Sequence, residues 1–394
     1  MVAKFTYCSK TTHPSRIAVV GAGFAGLTLA RVLALEGLQV EVFDSVGAPG
    51  QRGVHDAHLT AGMMPTVSSD LNFSTQLSRL GCQASEAFWQ DLPSEIGWRC
   101  GAIQLPRQTS RQADFKQVVA RLSALPQAKG WVPHWVRSVD ADEASEIAGM
   151  ALSQGGLYFP CAWSVRPRAL LQALAHTDSV TVINQKVMKV IATKSDWLLE
   201  FEASLMSDPY DVVVLANGLG AKTVLSESGL MASQNRLRNM YGIAGEVTHL
   251  PAEKLGGGPQ CMVAGEGYVL PASDGLCTVG GTYALTALSA QCEPGGVQMN
   301  VNRAAELLNQ PDLPQKLSGM PLSGWAGWRA VLPNRMPVIG PVDGQKGLWL
   351  ATGFGSKGLT WSVLAANQVA NGVLGRPNFM PERLFMAVLP TLFK

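Results

Sequence analysis

The sequence predicts an α/β protein with two parts: one domain on a parallel sheet, and a second α+β domain built on a mostly antiparallel sheet. Three observations carry this. A strand–glycine turn–helix–strand unit opens the chain, a strand–glycine turn–helix unit closes it, and short strands separated by glycine turns crowd residues 241–285. A chain of 394 residues exceeds what one core usually fills. With 47% apolar and only 15% charged residues, it can build large buried cores and is not disordered.

The opening unit is the most informative. The β-branched run "RIAVV" is a strand, followed at once by Gly21-Ala22-Gly23-Phe24-Ala25-Gly26 and the helix former "LTLARVLALEG". Gly37 closes the helix, and "LQVEVFD" forms the next buried strand, ending at Asp44. This is a Rossmann-like βαβ unit with G-x-G-x-x-G between strand and helix. Gly21 permits the tight turn, Gly23 lets backbone N–H groups approach a pyrophosphate, and Gly26 lets helix and strand pack closely. Asp44 stands where a carboxylate can take a ribose hydroxyl pair. The motif itself does not say which dinucleotide.

Further along, "QLSRLGCQASEAFWQDL" and "FKQVVARLSAL" read as helices, and "GGLYFPCAWSVRPRALLQALAH" as a strand followed by a helix opened at Pro167. "VTVINQKVMKVIAT" and "DWLLEFEA" read as an antiparallel pair. The apolar "YDVVVLANGLGA" suits a central parallel strand. Residues 286–320 read as a polar loop. Then come "GWRAVLPNRMPVIG", the strand "GLWLAT", the turn "GFGSKG" and the helix "LTWSVLAANQVANGVLG". The order implies that the chain leaves its first domain and returns more than once.

Charge and cysteine usage narrow the function classes. The net charge of +2 creates no global field for nucleic acid. One stretch is lopsided: Arg99, Arg107, Arg111, Lys116, Arg121, Lys129 and Arg137 face Asp114 alone. Such a run is either a solvated helix face or a phosphate-contacting surface. Seven cysteines without metal-ligand spacing read as reduced thiols of a cytoplasmic protein. No leader with an apolar region, no membrane-length apolar run and no metal set is expected. In "GWRAVLPNRMPVIG", Arg329 and Arg335 lie among apolar residues, so each is a snorkelling surface charge or a cation held for an anion.

Taken in order, these segments resemble the FAD-dependent D-amino-acid oxidase and glycine oxidase superfamily, and within it the oxidoreductase half of the bifunctional tRNA-modifying MnmC enzymes. The likeness covers nearly the whole chain and rests on the N-terminal fingerprint, "GGLYFPCAWSVRPRALLQAL", "VVVLANG", "YGIAGEVTHLP", "GYVLP…GLCTVGGTY", "GWRAVLPNRMPVIG" and "GFGSKGLT". It implies a discontinuous FAD-binding domain (residues 1–85, 155–225 and 330–394) and a substrate-binding domain (86–154 and 226–329). It implies that Gly21, Gly23, Gly26 and Asp44 hold the ADP half of FAD, that the Val187 backbone meets the adenine, and that Gly218 lies along the pyrophosphate. Gly353, Gly355, Ser356, Lys357, Gly358 and Leu359 would wrap the isoalloxazine. Lys357 and the last helix would there stabilise the charge that develops at the flavin C2 carbonyl. Tyr268 would stand over the substrate side, and Arg329 would grip the substrate carboxylate.

The resemblance implies oxidation of a glycine-like secondary amine by non-covalent FAD, with O2 as acceptor, giving an amine and glyoxylate. The substrate is then the carboxymethylaminomethyl group of a tRNA wobble uridine, bound through the 99–137 stretch, or a small amine of the sarcosine type. A flavin-binding protein without turnover is the third reading, and an unmatched cation such as Arg329 argues against it. Three departures stand out. The methyltransferase half of the bifunctional enzymes is absent, the ending "FMAVLPTLFK" diverges, and "GQRGVHDAHLTAGMMP" places His55 and His58 where the superfamily carries small residues. The two histidines are read as loop residues, with a flavin-face role as the alternative.

Overall fold

The computed structural model describes residues 16–46, 54–107, 115–125, 134–231 and 235–391. Its first sheet has six strands in the order Val338–Pro341, Leu348–Thr352, Val212–Leu215, Ile17–Val20, Val40–Asp44 and Val180–Asn184. All pairs are parallel except the first, where Val338–Pro341 runs antiparallel to its neighbour. The apolar strands bury both faces, as a parallel sheet requires. Ile17 and Val19 join the core under the helices Phe24–Leu35, Phe73–Trp89, Pro167–Ala175 and Gly358–Val373. Ala18 and Val20 face the other way, into a core covered by the hairpin Val187–Ala192/Trp197–Phe201 and the helix Gly220–Glu227.

The second sheet has eight strands: Gly324–Val331, Tyr241–Pro251, Leu276–Gly280, Gly267–Val269, Met262–Gly265, Ala102–Gln104, Gly156–Phe159 and Arg137–Val139. It is antiparallel except where Met262–Gly265 meets Ala102–Gln104. The stretch "GWRAVLPNRMPVIG" is the crossing between the sheets, because Gly324–Val331 edges the second and Val338–Pro341 the first. Its turn holds Arg335, exposed and at φ +57.

Three details depart from the expectations. The run 180–193 is two strands in different sheets: Val180–Asn184 extends the parallel sheet, and only Val187–Ala192 pairs with Trp197–Phe201. The strand Gly156–Phe159, placed by sequence with the nucleotide domain, pairs inside the eight-stranded sheet. The supposed loop 286–320 contains a 14-residue helix, Pro294–Leu307, and the short helix Leu313–Lys316. Val301, Ala304 and Leu307 of the longer helix pack on Leu250, Val269 and Val279 of the sheet. Asn300 is fully buried and donates through Nδ2 to Thr248 Oγ1 at 3.1 Å. The Glu246 carboxylate accepts from the Glu293 N–H at 2.8 Å, so the helix is capped from the sheet.

Candidate active site

Two cavities meet at the N-terminus of the first helix. One, of about 560 Å³, runs along Gly21, Gly23, Asp44, Val187, Asn217 and Gly218. The other, of about 540 Å³, lies between the two sheets. Phe24, His55, Gly218, Phe354 and Gly358 line both, so the two form one trough.

In the first cavity the three glycines divide the work by geometry. Gly21 has φ +109, and a Cβ there would stand 2.8 Å from Asn217 Cα. A Cβ on Gly26 would overlap the Gly21 carbonyl oxygen, so bare Cα is what lets the helix lie on the strand. Gly23 is different: a Cβ there meets nothing within 4 Å, because the position opens onto the cavity. Gly23 is also the N-cap and supplies no side-chain bond, leaving the first-turn N–H groups turned to the cavity. Asp44 does more than line the wall. Its carboxylate accepts from the Ala22 N–H and the Val46 N–H, both at 2.8 Å, and so pins the glycine turn. Asn217 Oδ1 is buried here without a partner. Uncapped N–H groups, an open glycine and an orphaned amide fit a dinucleotide with its pyrophosphate on the helix end.

The second cavity receives the turn 353–357, with Gly353 at φ +73 and Gly355 at φ +55. The Gly355 N–H donates to Ala330 O at 2.8 Å and ties the turn to the crossing strand. Gly358, Leu359 and Thr360 open the last long helix toward the cavity, again with no side-chain cap. Lys357 is half-buried beside them and donates to Thr66 Oγ1. Burial lowers the pKa of its ammonium; the nearby Cys82 acts in the opposite direction and the Arg107 charge in the same one.

Arg329 reaches the cavity from Gly324–Val331, in register with Ile243. A Cβ on Gly245 would overlap its guanidinium, so the cation lies flat over a bare position of the neighbouring strand. Arg329 Nη1 donates to Thr282 O at 2.9 Å, and the guanidinium carbon stands 4.5 Å from the centre of the Tyr283 ring. Among the described residues no carboxylate pairs with it. Tyr268 lines the same cavity; burial pushes its phenol up to about 12 against the opposing influence of Arg329, so it stays a neutral donor.

His55 and His58 are part of the wall, not loop bystanders. Their Nδ1 atoms lie 3.3 Å apart, and both rings stack on Trp325, His58 with its centre 4.1 Å away and nearly parallel. Trp325 Nε1 in turn donates to Val54 O at 2.7 Å. Burial lowers His55 to about 4, and holds His58 well below its ordinary value with help from His55, His249 and Arg329. Both are therefore neutral at neutral pH. A hydrogen bond between the two Nδ1 atoms makes one ring the donor and the other the acceptor.

Sequence reasoning missed Phe24, Tyr283, Trp325, Trp328 and Arg303, all lining residues. Phe24, Tyr283 and Trp328 sit inside the motifs quoted above; Trp325 and Arg303 meet the cavity only through long-range packing. The basic stretch is not one face. Arg99 bonds Pro160 O and Glu86, and Arg137 pairs with Glu143. Lys116 and Arg121 are exposed on the helix Phe115–Ala124, Arg107 lines the cavity, and Arg111 and Lys129 lie outside the described residues. Among the described residues there is no metal-ligand cluster and no helix long and apolar enough to cross a membrane.

A dinucleotide trough that ends in a cation-lined cavity defines a nucleotide-cofactor oxidoreductase. The chain belongs to the DAO family of FAD-dependent oxidoreductases, whose family model matches residues 16–371. Its relatives include the tRNA 5-methylaminomethyl-2-thiouridine biosynthesis bifunctional protein MnmC of Thiobacillus denitrificans, 30% identical over 100% of this chain and 62% of that protein. The MnmC of Aromatoleum aromaticum is 29% identical over 95% of this chain and 59% of that protein. The chain thus spans about three fifths of the curated relatives it matches. Among solved structures, glycine oxidase from Geobacillus kaustophilus superposes with TM-score 0.73 at 21% identity, covering 97% of this chain and 99% of that one. L-Proline dehydrogenase from P. horikoshii gives 0.74 at 16% identity, covering 96% and 97%.

Proposed function

We propose that this FAD-dependent oxidoreductase oxidises the C–N bond of a glycine-type secondary amine, R–NH–CH2–COO⁻, carried as the carboxymethylaminomethyl group of a tRNA wobble uridine. The observation that carries the amine reading is Arg329: a guanidinium with no carboxylate partner among the described residues, seated in the cavity beside a neutral phenol. A planar fork of this kind suits a carboxylate held by two parallel N–H bonds. Bound FAD supplies the two-electron acceptor that turns the glycine unit into an imine, whose hydrolysis leaves an aminomethyl group and glyoxylate, with O2 as the terminal acceptor. The protein's part is placement. Arg329 and Tyr268 fix the carboxylate and thereby aim the CH2, which is the main source of rate in such a site. Lys357 and the helix behind it put positive potential at the end of the cavity. The neutral His55–His58 pair keeps that wall uncharged. Gly21, Gly23, Gly26, Asp44, Val187 and Gly218 would hold the ADP half, and Gly353, Gly355, Ser356, Gly358 and Leu359 the ring system. No cysteine lines either cavity among the described residues, in keeping with non-covalent flavin.

The tRNA reading is supported by the MnmC relatives and by the rim. Tyr283 and Trp328 are 58% and 44% exposed while lining the cavity. Exposed aromatics on a cavity that Arg107 also lines suit an unstacked base. The test is anaerobic bleaching of the flavin. Transfer RNA carrying carboxymethylaminomethyluridine should bleach it and yield the aminomethyl nucleoside by mass spectrometry. Rapid bleaching by free sarcosine or glycine with no change in tRNA transfers the assignment to a small-molecule amine oxidase. A second arm concerns the helix Phe115–Ala124: Lys116→Glu with Arg121→Glu should raise KM for tRNA several-fold and leave sarcosine kinetics alone. Equal effects on both substrates remove this helix from the tRNA surface.

A further inference from the structure

The helix that sequence reasoning took for a loop sends one charge into the cavity. Arg303 of Pro294–Leu307 lines the wall with Arg329, and the two guanidiniums are tied to consecutive carbonyls. Arg303 Nη1 donates to Gly281 O at 2.9 Å, and Arg329 Nη1 to Thr282 O at 2.9 Å. Each rests over a glycine: a Cβ on Gly267 would stand 3.1 Å from Arg303 Cδ, as one on Gly245 would overlap Arg329. A single backbone bond uses one of five guanidinium donors. Among the described residues neither arginine has a carboxylate partner, and Glu266 is the only acid on the cavity wall. One substrate carboxylate requires one fork. Two forks held on the same turn, with Arg107 and Lys357 adding charge, exceed that requirement.

We propose that Arg303 forms a second anion subsite, so that the preferred amine substrate carries a second anionic group besides the glycine carboxylate; this rests on Arg329 being the carboxylate clamp. The shared chemistry is an oxyanion that accepts parallel N–H bonds. It has two sources: a phosphate of a nucleotide substrate, or a second carboxylate on a small N-substituted glycine.

The test uses unreactive thioethers in which sulfur replaces the amine nitrogen. Methylthioacetate carries one carboxylate, thiodiacetate two, and (2-phosphonoethylthio)acetate a carboxylate and a phosphonate. Each is titrated into the flavin-loaded enzyme, with binding followed by quenching of tryptophan fluorescence. The wild type should bind at least one doubly anionic ligand about ten- to a hundredfold more tightly than methylthioacetate, the worth of one charge-assisted bond. Arg303→Gln should erase that excess, and Arg335→Gln, in the exposed turn, should keep it. An excess confined to the phosphonate assigns the phosphate source, and one confined to thiodiacetate the carboxylate source. Equal affinity for all three, or an excess that survives Arg303→Gln, overturns the subsite alone. No binding by any ligand overturns the Arg329 clamp and the subsite with it.

Discussion

Arg329→Lys should lower kcat/KM for the amine substrate by about ten- to a hundredfold, although the charge is kept. A lysine ammonium cannot offer two parallel N–H bonds to a carboxylate, and each charge-assisted bond contributes roughly 1.5–3 kcal/mol. The present guanidinium is already fixed by Thr282 O and by its seat over Gly245, so little ordering remains when substrate arrives. Arg329→Ala removes both bonds and leaves the substrate carboxylate unmatched, and a loss of about a thousandfold or more should follow. The loss should fall on kcat as well as KM, because the same contact aims the reacting CH2. Steady-state kinetics with each variant, checked for flavin content, measure this. Arg335→Ala is the contrast: that side chain is exposed in the turn, and its variant should match wild type. Wild-type kcat/KM in Arg329→Lys would return Arg329 to the status of a surface charge.

The parts legible in the sequence are those whose signal is local. The glycine fingerprint declares itself because three backbone constraints fall within six residues, and the closing strand, turn and helix because their periodicity is unbroken. The place of Arg329 on the cavity wall was legible through its motif. What escaped depends on contacts far apart in the chain. The helix Pro294–Leu307 begins with Pro294-Gly295-Gly296, which reads as a turn. Gly296 is needed because a Cβ there would overlap the Glu246 carboxylate that caps the helix from another strand. Asn300 looks like a surface residue until Thr248 meets it in the core. With the helix hidden, Arg303 was hidden too. His55 and His58 are fixed by Trp325, some 270 residues away in sequence, and no local pattern announces that stack. Asp44 shows a subtler gap: spacing marked it for a ribose, while the structure also makes it the anchor of the glycine turn.

Gly26→Ala and Gly23→Ala should fail in different ways, although both change one glycine of the same motif. At Gly26 the added methyl meets the Gly21 carbonyl, a backbone atom that cannot swing aside, and Val19 Cγ1 closes the other side at 3.2 Å. The helix Phe24–Leu35 must lift from its strand, disturbing the core that includes Leu27, Leu29, Ala30 and Leu33. Overpacking of this kind costs about 3 kcal/mol or more, which lowers Tm by about 3–4 °C or more in a chain of 394 residues. The shifted glycine turn should also leave the protein without bound flavin. At Gly23 the backbone angles, φ −87 and ψ −171, are open to any residue, and no atom stands within 4 Å of the new methyl. The apoprotein of Gly23→Ala should therefore melt within about 1 °C of wild-type apoprotein. Its methyl, however, would occupy the face from which first-turn N–H groups would reach the pyrophosphate of FAD on the proposed reading. Loss of one such bond weakens FAD binding by about ten- to a hundredfold. Thermal melts of apo and FAD-loaded protein, with FAD titration, separate the two. Matching apoprotein Tm losses in both variants would refute the division between a packing glycine and a ligand-facing one, and flavin-replete Gly26→Ala with wild-type Tm would refute the packing role itself.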